Sequence, residues 1–174
     1  MRLPILLVLL ISGCTNIVPM TAMRLSGLSP TTADPADLAV DLALPEGIDV
    51  SPGTAVLTFS VARSDLNQTE KTDFILQRDG TVFTINPADY DGLRALQATS
   101  RQWKAENGDA TQGSLGVTLV PCRLGIGPAQ DAVVSVGVRM EQDGAFLPLV
   151  RNGPLSAVTT PDLLRAMKDC PIGQ

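Results

Sequence analysis

The sequence contains no histidine among its 174 residues. Histidine is the usual general base for serine and cysteine nucleophiles and the commonest protein ligand of transition metals. Its absence excludes histidine-dependent hydrolases and histidine-based metal sites. Aromatic residues make up only 3% of the chain, whereas a surface that stacks sugars or nucleotide bases needs several exposed ones. We expect neither kind of binding platform, no metal and no cofactor.

Basic residues are also scarce. The chain has 13 lysines and arginines against 18 acidic residues, which gives a formal net charge of −5. A nucleic-acid-binding surface needs a cluster of basic residues, and the sequence offers none. We therefore expect no nucleic-acid partner and attribute the acidic balance to solubility.

The N-terminus has the layout of a secretory signal. An apolar run over residues 3–11 follows Arg2, and two small residues come next. A positive start, a short hydrophobic stretch and a small-residue cleavage site are typical of a signal peptide. A membrane-spanning helix needs about 20 apolar residues, and the run over residues 3–11 is too short for one. We interpret residues 1–13 as a cleaved signal peptide.

The tetrad Ile11-Ser12-Gly13-Cys14 resembles the lipobox of bacterial lipoproteins, a resemblance confined to this end of the chain. In that family the cysteine sulfur receives a diacylglyceryl group, the signal is cut before the cysteine, and the new amino group is acylated, for instance with palmitate. The resemblance implies that Cys14 is the lipidation site and that the protein is membrane-anchored in the cell envelope. Thr15 stands where an inner-membrane retention signal has aspartate, which favours the periplasmic side of the outer membrane. The alternative is an ordinary export signal with an accidental cysteine.

Three cysteines, an odd number, would leave one reactive thiol in an oxidising compartment. If Cys14 carries lipid, as the lipobox implies, Cys122 and Cys170 remain as a pair. A bridge between them closes a loop of about 50 residues and stabilises the fold by roughly 4 kcal/mol in the chain-entropy model. The alternative is two buried free thiols.

The rest of the chain divides into a predicted tether and one domain. Residues 14–36 contain three prolines among serine, threonine and alanine, a composition that predicts a flexible tether. Residues 37–174 are long enough for a single globular domain with its own core. In this domain Leu38, Val40 and Leu42 alternate with small or polar residues, as a half-buried strand requires.

Two Asp-Gly pairs predict tight β-hairpin turns. A turn at Asp79-Gly80 places the four residues of its inner face in two pairs, Leu76 opposite Phe83 and Phe74 opposite Ile85. A turn at Asp143-Gly144 likewise places Val138 opposite Leu149 and Met140 opposite Leu147. Since proline cannot donate to a ladder, Pro148 predicts an edge strand.

Two helices are predicted from their first residues. Asn86-Pro87 has the cap and first-position residues of a helix, and its inward positions would be Leu93, Leu96, Ser100 and Trp103. Thr160-Pro161 likewise has the cap and first-position residues of a last helix. The inward positions of this helix would be Leu163, Leu164, Met167 and Cys170. Between the helices, a strand is predicted through Val117 and Cys122.

These elements predict an α+β fold with an antiparallel sheet of six to seven strands and two helices on one face. The order strand, hairpin, helix occurs twice, so we also expect a weak internal duplication. A β-sandwich with an inserted helix is the alternative architecture.

The residues point to no catalytic site. With Cys14 lipidated and the other cysteines paired, no thiolate remains, and the loop sequence "GIGP" at 125–128 lacks the third glycine of a phosphate-binding turn. We therefore expect a non-enzymatic envelope lipoprotein that contacts an envelope protein partner. The alternative is a carrier or cradle for an apolar ligand such as a lipid, held between the sheet and a helix.

Overall fold

A computed structural model describes residues 31–141 and 143–171. Cys14 and the predicted signal peptide lie outside the described residues. The described chain forms a mixed α and β fold dominated by a curled antiparallel sheet of seven strands with two helices. This confirms the predicted antiparallel sheet of six to seven strands.

The strands are β1 (Ala39–Ala43), β2 (Ile48–Val50), β3 (Val56–Arg63), β4 (Gln68–Asp79), β5 (Val82–Ile85), β6 (Thr111–Thr118), β7 (Pro121–Arg123), β8 (Val133–Arg139) and β9 (Leu147–Pro154), and the helices are α1 (Tyr90–Glu106) and α2 (Pro161–Arg165). The large sheet has the order β6-β3-β4-β5-β1-β8-β9, and β2 pairs with β7 in a separate sheet. The sheet curls at β4, because its residues 68–75 pair with β3 and its residues 76–79 pair with β5.

The core forms where α1 covers the inner face of the sheet. Alternation along β3 sends Leu57, Phe59 and Val61 inward, and all three are buried. Leu93 and Leu96 of α1 belong to the same hydrophobic cluster as Leu57 and Phe59. Burying large side chains of this kind stabilises a fold by about 1.5–3 kcal/mol each, so this interface anchors the domain.

The start and end of the first predicted helix are confirmed. Asn86 Oδ1 accepts a hydrogen bond from the N–H of Ala88 at 3.0 Å, and a 3₁₀ turn over Pro87–Asp89 leads into α1. The helix ends where the N–H of Asn107 donates to the Trp103 carbonyl. Leu93, Leu96 and Ser100 are buried as predicted, whereas Trp103 is only half-buried.

The first hairpin has its predicted face but a different register. Leu76 pairs with Ile85 and not with Phe83, so the loop residues are Gly80 and Thr81. Gly80 has φ of +60°, and glycine at the first loop position is typical of a type II′ turn. The register moves by two residues, which keeps Phe74, Leu76, Phe83 and Ile85 on one buried face.

The second predicted hairpin turn is wrong. Val138 pairs with Leu147 and not with Leu149, so no tight two-residue turn joins β8 to β9. Of the Asp143-Gly144 pair only Asp143 has a positive φ, +55°, and a type I′ turn requires both. Pro148 nevertheless lies in β9, at the edge of the sheet as predicted.

The last helix is much shorter than predicted. It ends at Arg165 because the residues after it leave the helix and run alongside β7. The Thr160 hydroxyl accepts from the N–H of Leu163 at 3.3 Å, so the predicted cap is present. Leu163 is exposed rather than inward, whereas Leu164 packs against the core and Met167 is buried.

Two other boundaries differ from prediction. The strand predicted through Val117 and Cys122 is divided between β6 and β7. Residues 31–36, predicted as the end of the tether, pack against α1: the Ala33 carbonyl accepts from Gln97 Nε2 at 2.8 Å and Pro35 is fully buried. Any tether therefore ends before Thr31.

The internal duplication is not confirmed. The first hairpin is joined by two residues and followed by a 17-residue helix, whereas the second lacks the tight turn and is followed by a helix of 5 residues. The two units share turn and cap residues but not structure.

The buried side of α1 supplies a direct test of this core. Leu93→Ala should lower the free energy of unfolding by about 2–5 kcal/mol, because Leu93 has no exposed surface and its loss leaves a cavity. The matched control Leu163→Ala, at an exposed helical leucine, should change it by less than about 0.5 kcal/mol. Urea unfolding measures both. Equal effects would contradict the packing described.

Candidate functional site

The two predicted disulfide cysteines meet at one end of the molecule. Cys122, in the middle of β7, is buried, and its Sγ lies 2.06 Å from Sγ of Cys170. The pair is therefore at disulfide distance. Neither element is the predicted one: Cys122 lies in the two-stranded sheet rather than on a central strand, and Cys170 lies beyond the last helix.

The C-terminal segment is held on β7 by backbone bonds as well as by the sulfur pair. The N–H of Arg123 donates to the Lys168 carbonyl at 2.8 Å, and the N–H of Cys170 donates to the Arg123 carbonyl at 2.9 Å. The Arg123 guanidinium bonds to Asp169 at 3.0 Å and to the Met167 carbonyl at 3.1 Å. This segment therefore acts as an added strand beside β7.

A cleft of about 400 Å³ opens beside this segment. Its lining is mainly apolar and includes two buried side chains, Leu155 and Met167. Arg123 and Arg165 contribute the charged lining, and both are engaged in ion pairs, with Asp169 and Asp162. The cleft thus offers an apolar floor without a free charged group among these residues.

A glycine loop displays an isoleucine at the edge of the cleft. Gly125 and Gly127 have φ of +57° and +88°, and Ile126 between them is fully exposed. The loop is tightly seated, because a Cβ on Gly47 would lie 2.2 Å from the Gly127 carbonyl oxygen. The predicted loop at 125–128 is therefore present, and the Ile126 side chain in it is exposed to solvent. The glycines on either side of Ile126 are the sequence signal for this exposed loop.

A smaller cleft of about 160 Å³ lies between α1 and β6. Its lining includes Phe59, Ser100 and Leu115. Sites for drug-sized ligands are typically 300–1,000 Å³, so this space is smaller than a typical ligand site. Of the two clefts, the one beside Ile126 has the more suitable volume.

An ion-pair cluster fastens the end of α1 to the end of β3. Arg63 is 6% exposed although it is charged, and its guanidinium contacts Glu106 at 2.7 Å and Asp65 at 2.8 Å. Asn107 donates to the other oxygen of Asp65 at 3.0 Å. Sequence analysis missed this cluster, although Arg63 occupies the next inward position after Val61 on an alternating strand.

The cluster favours the charged form of each partner. The hydrogen bond from Arg63, followed by that from Gln102, lowers the pKa of Glu106. At Asp65 desolvation acts to raise the pKa, but the bonds from Arg63 and Asn107 outweigh it and the pKa is lowered. The ion pairs with Arg63 therefore favour the ionised form of both carboxylates.

The lowered pKa of Glu106 makes its contribution to stability depend on pH. That contribution is present above the unfolded-state value of 4.5 and is lost as the pH falls through the lower folded-state pKa. Glu106→Gln should therefore reduce the melting temperature at pH 7, and the difference from the unmodified protein should shrink below pH 4. Glu70→Gln, an exposed carboxylate on β4, is the control. A difference that does not depend on pH would contradict the role of this pair.

Within residues 31–141 and 143–171, no helix is long and apolar enough to cross a membrane, and no cluster of three potential metal ligands occurs. No protein-family model, no curated protein and no solved structure matches the chain significantly.

Proposed function

We propose that this protein is a non-enzymatic lipoprotein of the bacterial cell envelope. Lipidated Cys14 would anchor it to the outer membrane, and the domain would act as an interaction module on the periplasmic side. The lipobox-like tetrad Ile11-Ser12-Gly13-Cys14 supports the anchor. A single acyl chain holds a protein only marginally, whereas several chains give stable anchoring.

The positions of the cysteines support an exported protein. Disulfides persist in oxidising compartments such as the periplasm, and Cys122 and Cys170 lie at disulfide distance. Cys14 is then the only remaining cysteine in the chain. The odd cysteine thus coincides with the position that the lipobox resemblance assigns to lipid.

The observation that carries the interaction role is the display of Ile126. Two glycines with positive φ hold this side chain fully in solvent beside a cleft with an apolar floor, and Leu124 of the same loop is also exposed. Single exposed apolar residues are common on protein surfaces. Here the backbone of the loop also packs closely against Gly47, which leaves the isoleucine side chain free to contact a partner.

An apolar ligand carrier is the second candidate, favoured by the cleft itself. A volume of about 400 Å³ lies within the range of small-molecule sites. Leu155 and Met167 would contact the ligand, and Ile126 would close over it. This site differs from the one predicted under the first helix.

A photo-crosslinking residue at Ile126 in the full chain separates these functions in native membranes. We expect Ile126 to yield an adduct with an envelope protein, because its side chain is fully exposed and that of Leu124 in the same loop is less so. The matched control is Ile75, which is also exposed but lies on β4. Adducts with lipid alone would favour the carrier. Equal labelling from both positions would contradict an interaction surface at the loop.

A further inference from the structure

The free edges of the large sheet differ in how they are protected. In natural sheets, proline, charged side chains and irregular pairing at the edge strands prevent pairing with other chains. The β9 edge contains Pro148, Pro154 and Arg151, and its register with β8 shifts. Residues 68–75 of β4, which β5 does not cover, include Glu70 and Lys71.

The β6 edge has none of these features. Its sequence, TQGSLGVT, contains no charge and no proline. All eight residues pair in unbroken register with β3, from Thr111 opposite Arg63 to Thr118 opposite Val56. A regular, uncharged edge of this length is suited to pairing with another strand.

The ladder determines which backbone groups are available. The N–H of Ser64 donates to the Ala110 carbonyl at 2.9 Å. Bonded and non-bonded pairs alternate along an antiparallel ladder, so the even-numbered residues of β6 bond to β3. Gly113, Leu115 and Val117 therefore direct their N–H and C=O groups away from β3, and no described residue outside β3 bonds to these groups.

We propose that this edge pairs with β6 of a second copy of the chain. The pairing is antiparallel about a twofold axis at Leu115, so that Leu115 meets Leu115 and Gly113 meets Val117. This register satisfies the N–H and C=O groups of all three residues. Registers that also pair Thr111 are less favourable, because the Thr111 N–H already donates to the Gly108 carbonyl at 3.3 Å.

A second copy fits this edge better than an unrelated strand for two reasons. β6 carries no charged residue, so pairing two copies places no like charges directly opposite each other, although the whole chain has a net charge of −5. The facing side chains are also complementary in size, since a glycine faces each valine and the leucines meet at the axis.

The geometry is compatible with the membrane anchor, a step that rests on the proposed function. Thr31 lines the cleft between α1 and β6 together with Gly113 and Leu115. A twofold axis relating neighbouring antiparallel strands is normal to the sheet, so both copies of Thr31 lie on the same side. Both copies of the described chain therefore begin on the same side of the dimer, as two anchors in one membrane require.

Cysteine crosslinking of the full chain tests this pairing. In an antiparallel bonded pair the Cα atoms lie about 5.5 Å apart, within disulfide range. Leu115→Cys should therefore give a reducible dimer on mild oxidation. Gln112→Cys is the matched control, because its two copies would lie roughly 20 Å apart at about 3.4 Å per residue. The oxidised chain is assayed in both membrane and soluble fractions, so failure of the anchor does not change the reading.

A proline variant gives an independent readout. In the Leu115→Cys background, Val117→Pro removes an N–H that points off the edge and leaves the β3 ladder bonds in place, so the dimer should be lost. Val117→Thr keeps the N–H and should retain it. Far-ultraviolet circular dichroism verifies that both variants are folded. Equal crosslinking at positions 112 and 115, no dimer at 115, or a dimer that survives Val117→Pro in the folded protein would overturn the proposal.

Discussion

The rest of the structure depends on the packing of α1 over β3. Phe59 of the strand and Leu93 of the helix are both almost completely buried, and β3 has β4 on one side and β6 on the other. Three strands are thus positioned by one interface. Arg63 extends the same face past its apolar residues and bonds to Glu106, which fixes the end of the helix over the end of the strand.

The two proposed interaction surfaces, the β6 edge and the Ile126 loop, belong to elements other than α1 and β3. β6 pairs with β3 in unbroken register over its whole length, and β3 packs against the helix. At the other end of the domain, the disulfide-distance cysteines and the backbone bonds of Arg123 hold the C-terminal segment on β7. The cleft and the Ile126 loop are built on that small sheet. The two surfaces are therefore supported by separate elements.

The features that could be predicted from the sequence follow from the residue types themselves. Asn86 and Pro87 define a helix start by their own side chains, and alternation along β3 predicts its buried face. The proline-bearing edge strand and the cysteine pair followed from simple rules of bonding and counting. These features need no knowledge of distant contacts.

The features that prediction missed depend on distant partners. The last helix stops at Arg165 because residues 167–170 bond to β7. Local helix propensity gives no indication of this pairing. Gly80 starts the first hairpin loop rather than ending it, since two registers share the same apolar face and only the assembled sheet selects one. Arg63 is buried because Glu106, 43 residues away, meets it.

We propose that this domain works at a membrane to which Cys14 attaches it. The most direct measurement is mass spectrometry of the N-terminal peptide from protein purified out of its native membrane. The account predicts a peptide that begins at Cys14 and carries a diacylglyceryl group with an acylated amino terminus. A mature N-terminus at any other residue, or an unmodified Cys14, would contradict it.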